Sequence, residues 1–210
     1  MPKRASRSFH LLPESPKVNG PDGYNERGII VAHVVSSSRF AMKCEEAGVD
    51  AVVAEGFEAG GHNGREETTT FCLIPAVRNA TTLPLIAAGG IGTGEGIFAA
   101  MVLGAEGVQI GTRFVASREA QVHENYKNCI IKARDIDSRV TGRSTGHPVR
   151  ALRNQMTKIY LEKEQAGVPF EELELLTLGG LRKAVVDGDV TNGSVMAGRV
   201  CGNGKRDTFL

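Results

Sequence analysis
The chain has 210 residues, enough for one well-buried domain and too few for two full ones. Twenty-five basic residues stand against twenty-four acidic ones and are scattered, so there is no electrostatic footprint for nucleic acid or a membrane surface. No apolar run approaches the roughly 20 residues of a membrane span, and Cys44, Cys72, Cys129 and Cys201, widely spaced and without a secretory signal, predict reduced thiols in a cytoplasmic protein.

Residues 1–28 are rich in Pro, Gly, Ser and charge and show no apolar period, so they are expected to be a disordered lead-in. The pattern changes at Gly28. "GIIVAHVVSS" is a β-branched run suited to a strand buried on both faces, and Ser36-Ser37-Ser38 can cap a helix carrying Phe40, Cys44 and Ala47 up to Gly48. "DAVVAEG" predicts a second strand, followed by a polar glycine-rich loop and a helix over "TFCLIPAVRNAT". "LPLIAAGG" predicts a third strand, Thr93 opens a helix with Ile97, Ala100 and Met101 on one face, and "EGVQIGTRFVAS" predicts a fourth strand. Four alternations within residues 29–117 require parallel strands joined by helical crossovers.

Beyond Ser117 strands are expected to cease. "VHENYKNCIIKARDI", "PVRALRNQMTKIYLEKEQAG" and "FEELELLTLGGLRKAVVDGD" predict helices, so residues 118–210 form a helical region that packs on the strands and roofs their carboxyl ends. The expected fold class is α/β, a partial (β/α)8 barrel made of its last four βα units and a helical segment.

Gly89-Gly90 and Gly111-Thr112 end two consecutive strands, where the ligand sites of parallel α/β folds gather. Glycine permits a tight βα turn, and it also lets backbone N–H groups approach an oxyanion; two adjacent strand ends of this kind favour a phosphate cup. "AEGFEAGGHNG" also follows a strand, so Glu55, Gly60, Gly61 and His62 are expected to face the same mouth. A neutral imidazole at position 62 can give or take a proton near physiological pH, though a loop histidine bonded to a nearby carbonyl would read the same way. His33 is expected in the core, and His147 is a further candidate for substrate contact. No cluster of His, Cys or carboxylates has metal-ligand spacing, so no metal is expected.

"AEGFEAGGHNG", "PLIAAGGIGTGEGIFAAMVLGAEGVQIGTRFVAS" and "GSVMAG" (193–198) resemble the flavin-dependent barrel family of nitronate monooxygenases, once called 2-nitropropane dioxygenases, and of flavin-type enoyl-ACP reductases. The resemblance runs from about Gly28 to Gly202. It implies FMN at the barrel mouth, with phosphate at Gly90, Gln109, Gly111 and Thr112 beside Gly89, and Glu55, Gly60 and Gly61 near the ribityl chain or ring. His62 matches the family's active-site histidine. Two activities follow from the resemblance: oxidation of an alkyl nitronate with O2, or reduction of an enoyl thioester with NAD(P)H as electron donor. Glu55, where monooxygenases tend to carry Gln, and residues 132–157 look more like the reductase branch. Four units are half of a barrel of about 250 residues, and its open edges make a homodimer or a complementing N-terminal half the expected partner. A truncated, non-catalytic phosphate- or flavin-binding fragment is the alternative.

Overall fold
The computed structural model describes residues 9–12 and 28–201. At its centre five strands lie parallel in the order β1 (Phe9–Leu12), β2 (Ile30–Val35), β3 (Ala51–Glu55), β5 (Leu85–Ala88) and β6 (Gly107–Gln109). Their alternation serves two cores, because successive side chains of a strand point to opposite faces. Val31, Val35, Val52, Leu85 and Ala87 join residues from helices α1 (Ser38–Glu46), α2 (Thr70–Arg78) and α3 (Gly94–Val102), while Ala32, Ala51, Val53 and Ala88 cluster on the other face. Burial on both faces accounts for strands that read as continuous apolar runs. His33 is buried in β2, where its Nδ1 lies 2.8 Å from the Val34 carbonyl and its ring meets Phe40 edge-on.

The helices start where the sequence supplies caps. Ser37 Oγ accepts from the Phe40 amide at 3.3 Å, and Thr93 Oγ1 accepts from Gly96 at 3.2 Å. Helix α2 has no side-chain cap from its own Thr69. The Glu58 carboxylate takes that place, with Oε2 accepting from the Thr70 amide at 2.9 Å.

A second, antiparallel sheet joins β4 (Gly61–His62), β8 (Val149–Leu152) and β7 (Ser138–Thr141) in that order. Around it lie α4 (Thr112–Val115), α5 (Glu124–Lys132), α6 (Gln155–Gln165), α7 (Phe170–Thr177) and α8 (Gly180–Val185). Tyr126, Ile130, Leu152, Ala184 and Val195 make one core here, and Met156, Tyr160 and Leu173 a smaller one.

Several expectations are corrected by this architecture. Within the lead-in expected to be disordered, Phe9–Leu12 forms β1, pairing Phe9 with Ile30 through to Leu12 with His33. Four residues are too few to show a period, but they complete the hydrogen bonding of the edge of β2. The parallel sheet therefore has five strands among the described residues, not four. The fourth predicted strand stops at Gln109, and Thr112–Val115 turns into α4. Strands do not cease after Ser117: "SRVT" and "VRAL" pair as β7 and β8, and helix α6 waits for the Asn154 cap. "GH" within the polar loop pairs with Arg150 and Val149 as β4. The last predicted helix breaks in two at Gly179, whose φ of 70° is left-handed.

Asn154 joins these pieces. Its Oδ1 accepts from Thr157 N at 2.9 Å, Thr157 Oγ1 accepts from Asn154 N at 2.9 Å, and its Nδ2 donates to the Val190 and Gly193 carbonyls at 2.8 and 2.7 Å. Asn154→Ala is expected to lower the unfolding free energy by about 2–3 kcal/mol in chemical denaturation, as a cap and two carbonyl partners are lost together. Asn154→Asp, which keeps the cap acceptor, should recover part of that loss.

Candidate functional site
Beyond β5 the chain turns through Gly89 and Gly90, with φ of 89° and 70°. A side chain at Gly89 would begin 2.6 Å from the Gly56 carbonyl oxygen, so both backbone angle and space demand glycine there. Gly111 leads from β6 into α4. These turns share a cavity of about 210 Å³ whose wall includes Gly89, Gly90, Gln109, Gly111 and Thr112. Glu55 and Gly60 close it from the β3 side. Among the described residues no protein acceptor is bonded to the backbone N–H of Gly90, Ile91, Gly111 or Thr112. An added Cβ on Gly111 would have no heavy atom within 4 Å, so the cradle is open at that point.

The loop carrying Gly60 is fixed from three sides. Arg150 donates from Nε and Nη2 to the Phe57 carbonyl at 3.0 and 2.7 Å and stacks over the Phe57 ring at 5.0 Å. Thr70 Oγ1 stands 2.9 Å from Glu58 Oε2 and 2.8 Å from the Gly89 carbonyl, linking this loop to the glycine turn. Residues 196–199 cross over it: Arg199 N donates to the Glu58 carbonyl at 2.9 Å, and Gly198 N donates to Thr112 Oγ1 at 2.9 Å. A Cβ on Gly60 would fall 2.6 Å from the Ala197 backbone. Sequence reading missed Glu58, Arg150 and Met196 as site residues. The "GSVMAG" motif carried a signal for Met196; nothing in spacing marked the other two.

His62 does not stand over the cup. It lines an adjoining cavity of about 450 Å³, with Met196 in the wall of both spaces. Gly61, expected beside the cofactor, lines neither; it is buried in β4 with φ of 90°, and an added Cβ would lie 3.6 Å from Met196 Sδ. Its part is to set the strand from which His62 projects. Asn63 supports that strand, donating from Nδ2 to the Ala59 and Gly61 carbonyls at 3.1 and 2.8 Å. His147 lines the His62 cavity as well. Among the described residues no group of three or more His, Cys, Asp or Glu could hold a metal ion, and no helix is long and apolar enough to cross a membrane.

The family model for nitronate monooxygenase matches residues 8–207. The chain belongs to the nitronate monooxygenase family. Probable nitronate monooxygenases of Staphylococcus saprophyticus and Staphylococcus aureus are 40% identical over 139 residues and 33% identical over 170. These matches cover 62% and 77% of this chain but 39% and 48% of the relatives, so the chain spans less than half of their length. FabK from Thermotoga maritima superimposes with a TM-score of 0.82 at 39% identity, covering 96% of this chain and 71% of FabK. Nitroalkane oxidase from Streptomyces ansochromogenes gives 0.73 at 28%, covering 92% and 56%. The staphylococcal relatives and the nitroalkane oxidase are named for oxidoreductase activities.

Burial pushes the Glu55 carboxyl up from its ordinary 4.5 to about 7. Ionising it inside the fold is therefore unfavourable, and the penalty is absent below about pH 4.5, grows as the pH climbs, and is complete above about 7. Glu55→Gln is expected to raise the apo chain's unfolding free energy by about 2–3 kcal/mol at pH 8 and to leave it unchanged at pH 4. Thermal unfolding across that range measures the difference; a gain of equal size at pH 4 would disprove the assignment.

Proposed function
We propose that the chain is an FMN-dependent oxidoreductase that reduces enoyl thioesters with NAD(P)H, its sheet forming part of a (β/α)8 barrel. The observation that carries the reading is the set of amides at Gly90, Ile91, Gly111 and Thr112, which have no protein acceptor among the described residues and belong to residues lining one glycine-walled cavity. Such a donor set fits a phosphate, which gains several N–H bonds at once where no side chain intrudes. In this fold the last two strands are also the usual phosphate position. Gln109 and Glu55 lie on the cavity wall beyond the cup, within the same space as the rest of the cofactor would occupy. With its carboxyl pushed up to about 7, Glu55 is in part protonated near neutral pH, and in that form it can donate a hydrogen bond and adds no charge to repel the phosphate.

FMN held by the cup residues would supply a two-electron carrier, accepting hydride equivalents from NAD(P)H for addition at the β-carbon of the enoyl group. His62 faces the substrate cavity across Met196. Its imidazole polarises the thioester carbonyl by donating a hydrogen bond and supplies the proton that the α-carbon needs to balance the added hydride. Val149, Met156 and Leu181 give the cavity apolar walls, and its volume suits a ligand larger than a molecule of a few heavy atoms. The resemblance of the site motifs to flavin-type enoyl reductases, together with the likeness to FabK, supports the same substrate. A second reading, oxidation of an alkyl nitronate with O2 and His62 as base toward a neutral nitroalkane, is favoured by the family's description and by the staphylococcal relatives. Because the chain spans less than half of those relatives, we propose that a second copy or a complementing N-terminal half completes the barrel.

FMN titration followed by flavin fluorescence tests the cofactor site. Gly111→Ala is expected to weaken FMN binding at least tenfold, since a methyl group enters the cradle, while leaving thermal unfolding of the apo chain in place because that methyl meets no protein atom. Absence of FMN binding by the parent chain would overturn the reading. His62→Ala should retain FMN and lower kcat for crotonyl thioester reduction by about 10²–10⁴. FMN binding with no NAD(P)H turnover in either protein would point instead to a flavin-binding fragment without catalysis.

A further inference from the structure
His147 takes no part in the chemistry assigned to His62, yet it stands in the same cavity. The register explains why. His62 of β4 lies opposite Val149 of β8, the pairing runs on as Asn63 N donates to the Pro148 carbonyl at 2.9 Å, and His147 follows directly in the loop ahead of β8. Val149, Ala151 and Thr141 line the same cavity, while Arg150 points the other way into the Phe57 loop.

The position of His147 is fixed before any ligand arrives. Glu164 holds the turn ahead of it, accepting from Ser144 N at 3.0 Å, from Ser144 Oγ at 2.8 Å and from Gly142 N at 3.3 Å. The imidazole packs at a tilt of 37° on Phe170, with ring centroids 5.5 Å apart. Among the described residues neither it nor the His62 ring is hydrogen-bonded to the protein. The cavity therefore presents two preset imidazoles, both with ring nitrogens to offer.

We propose that His147 is a specificity residue, hydrogen-bonding the first amide of the carrier arm of a thioester whose own carbonyl lies against His62. The inference rests on the thioester reading of the site and deepens it. In a pantetheine-type arm the thioester carbonyl carbon and the first amide carbonyl carbon are five bonds apart, roughly 6–7 Å when extended. Both rings stand in one cavity of about 450 Å³, which has room for such a span. Phe170 and Leu181 supply apolar wall for the methylenes between them. A short nitronate reaches one imidazole only, so His147 distinguishes the two substrate classes by length and by the second polar anchor.

The test uses the full chain loaded with FMN and two substrates, crotonyl-pantetheine and the S-ethyl thioester of crotonic acid, which lacks the amide. His147→Leu is expected to lower the preference for the amide-bearing substrate, as the ratio of kcat/KM values, about tenfold, with the loss in KM; His147→Gln, which keeps a donor, should restore most of it. Equal losses on both substrates would mean a purely structural role and overturn the proposal. Imidazole nitrogen NMR gives a readout independent of turnover. Unreactive butyryl-pantetheine should shift both the His62 and His147 resonances. A shift of His62 alone refutes the role of His147, and a shift of neither ring refutes the thioester reading of the cavity and this proposal with it.

Discussion
A single guanidinium, that of Arg150, holds the site in one piece. It is 3% exposed, and among the described residues no carboxylate forms an ion pair with it; its bonds go to the Phe57 carbonyl and to Ser138 Oγ. Burying a charge in this way costs several kcal/mol in desolvation, and burial holds the Arg150 pKa below its ordinary value. The offset comes from three hydrogen bonds, the face of the Phe57 ring, and the distributed negative field of Glu58 and Glu67. A hydrophobic side chain could fill the volume, but it could not grip a loop carbonyl. Arg150 thus converts the flexible stretch containing Gly60 and Gly61 into a short strand at fixed height above the parallel sheet.

The glycines follow from that constraint rather than from local flexibility. Once Phe57 is pulled onto β8, residues 56–61 must run in contact with Gly89 below and Ala197 above. At Gly60 and Gly89 a Cβ would overlap backbone atoms at 2.6 Å, so the site is built from backbone-to-backbone contact at two levels. Gly111 differs in kind. Its φ of −99° is open to any residue and its surroundings are empty, so folding gives no reason for glycine there. Space left open by a residue with no structural obligation is what a cradle for a ligand requires.

The four central strands were legible because burial on both faces leaves runs such as "IIVAHVV" with few polar interruptions. Both glycine turns were legible from their place at strand ends. The second sheet was hidden for the reason that makes it work: "VRAL" carries Arg150 within the strand, and an arginine beside apolar residues reads as one face of an amphipathic helix, while "SRVT" is too short to show a period of its own. Only tertiary contact with Phe57 reveals that Arg150 is buried. Glu58 was missed similarly, since its helix begins twelve residues later and its capping role spans the intervening loop. β1 lies too close to Pro, Ser and charge for four residues to stand out.

The two cavities touch at Met196, and the fastening of that residue decides how far they are separate. Its carbonyl accepts from the Tyr126 hydroxyl at 2.7 Å, and its backbone bridges to Ala151 of β8. The partition is therefore tied to α5 and to the strand that carries Arg150, neither of which belongs to the parallel sheet. The Met196 side chain, unbranched and polarizable, can change rotamer at little cost while the backbone stays fixed. The wall between the two cavities thus has a backbone held from two sides and a side chain free to adjust. In this arrangement the parallel sheet supplies most of the glycine cup, the segment from 138 to 199 supplies most of the adjoining cavity, and the two spaces meet at Met196, which belongs to neither sheet's strands.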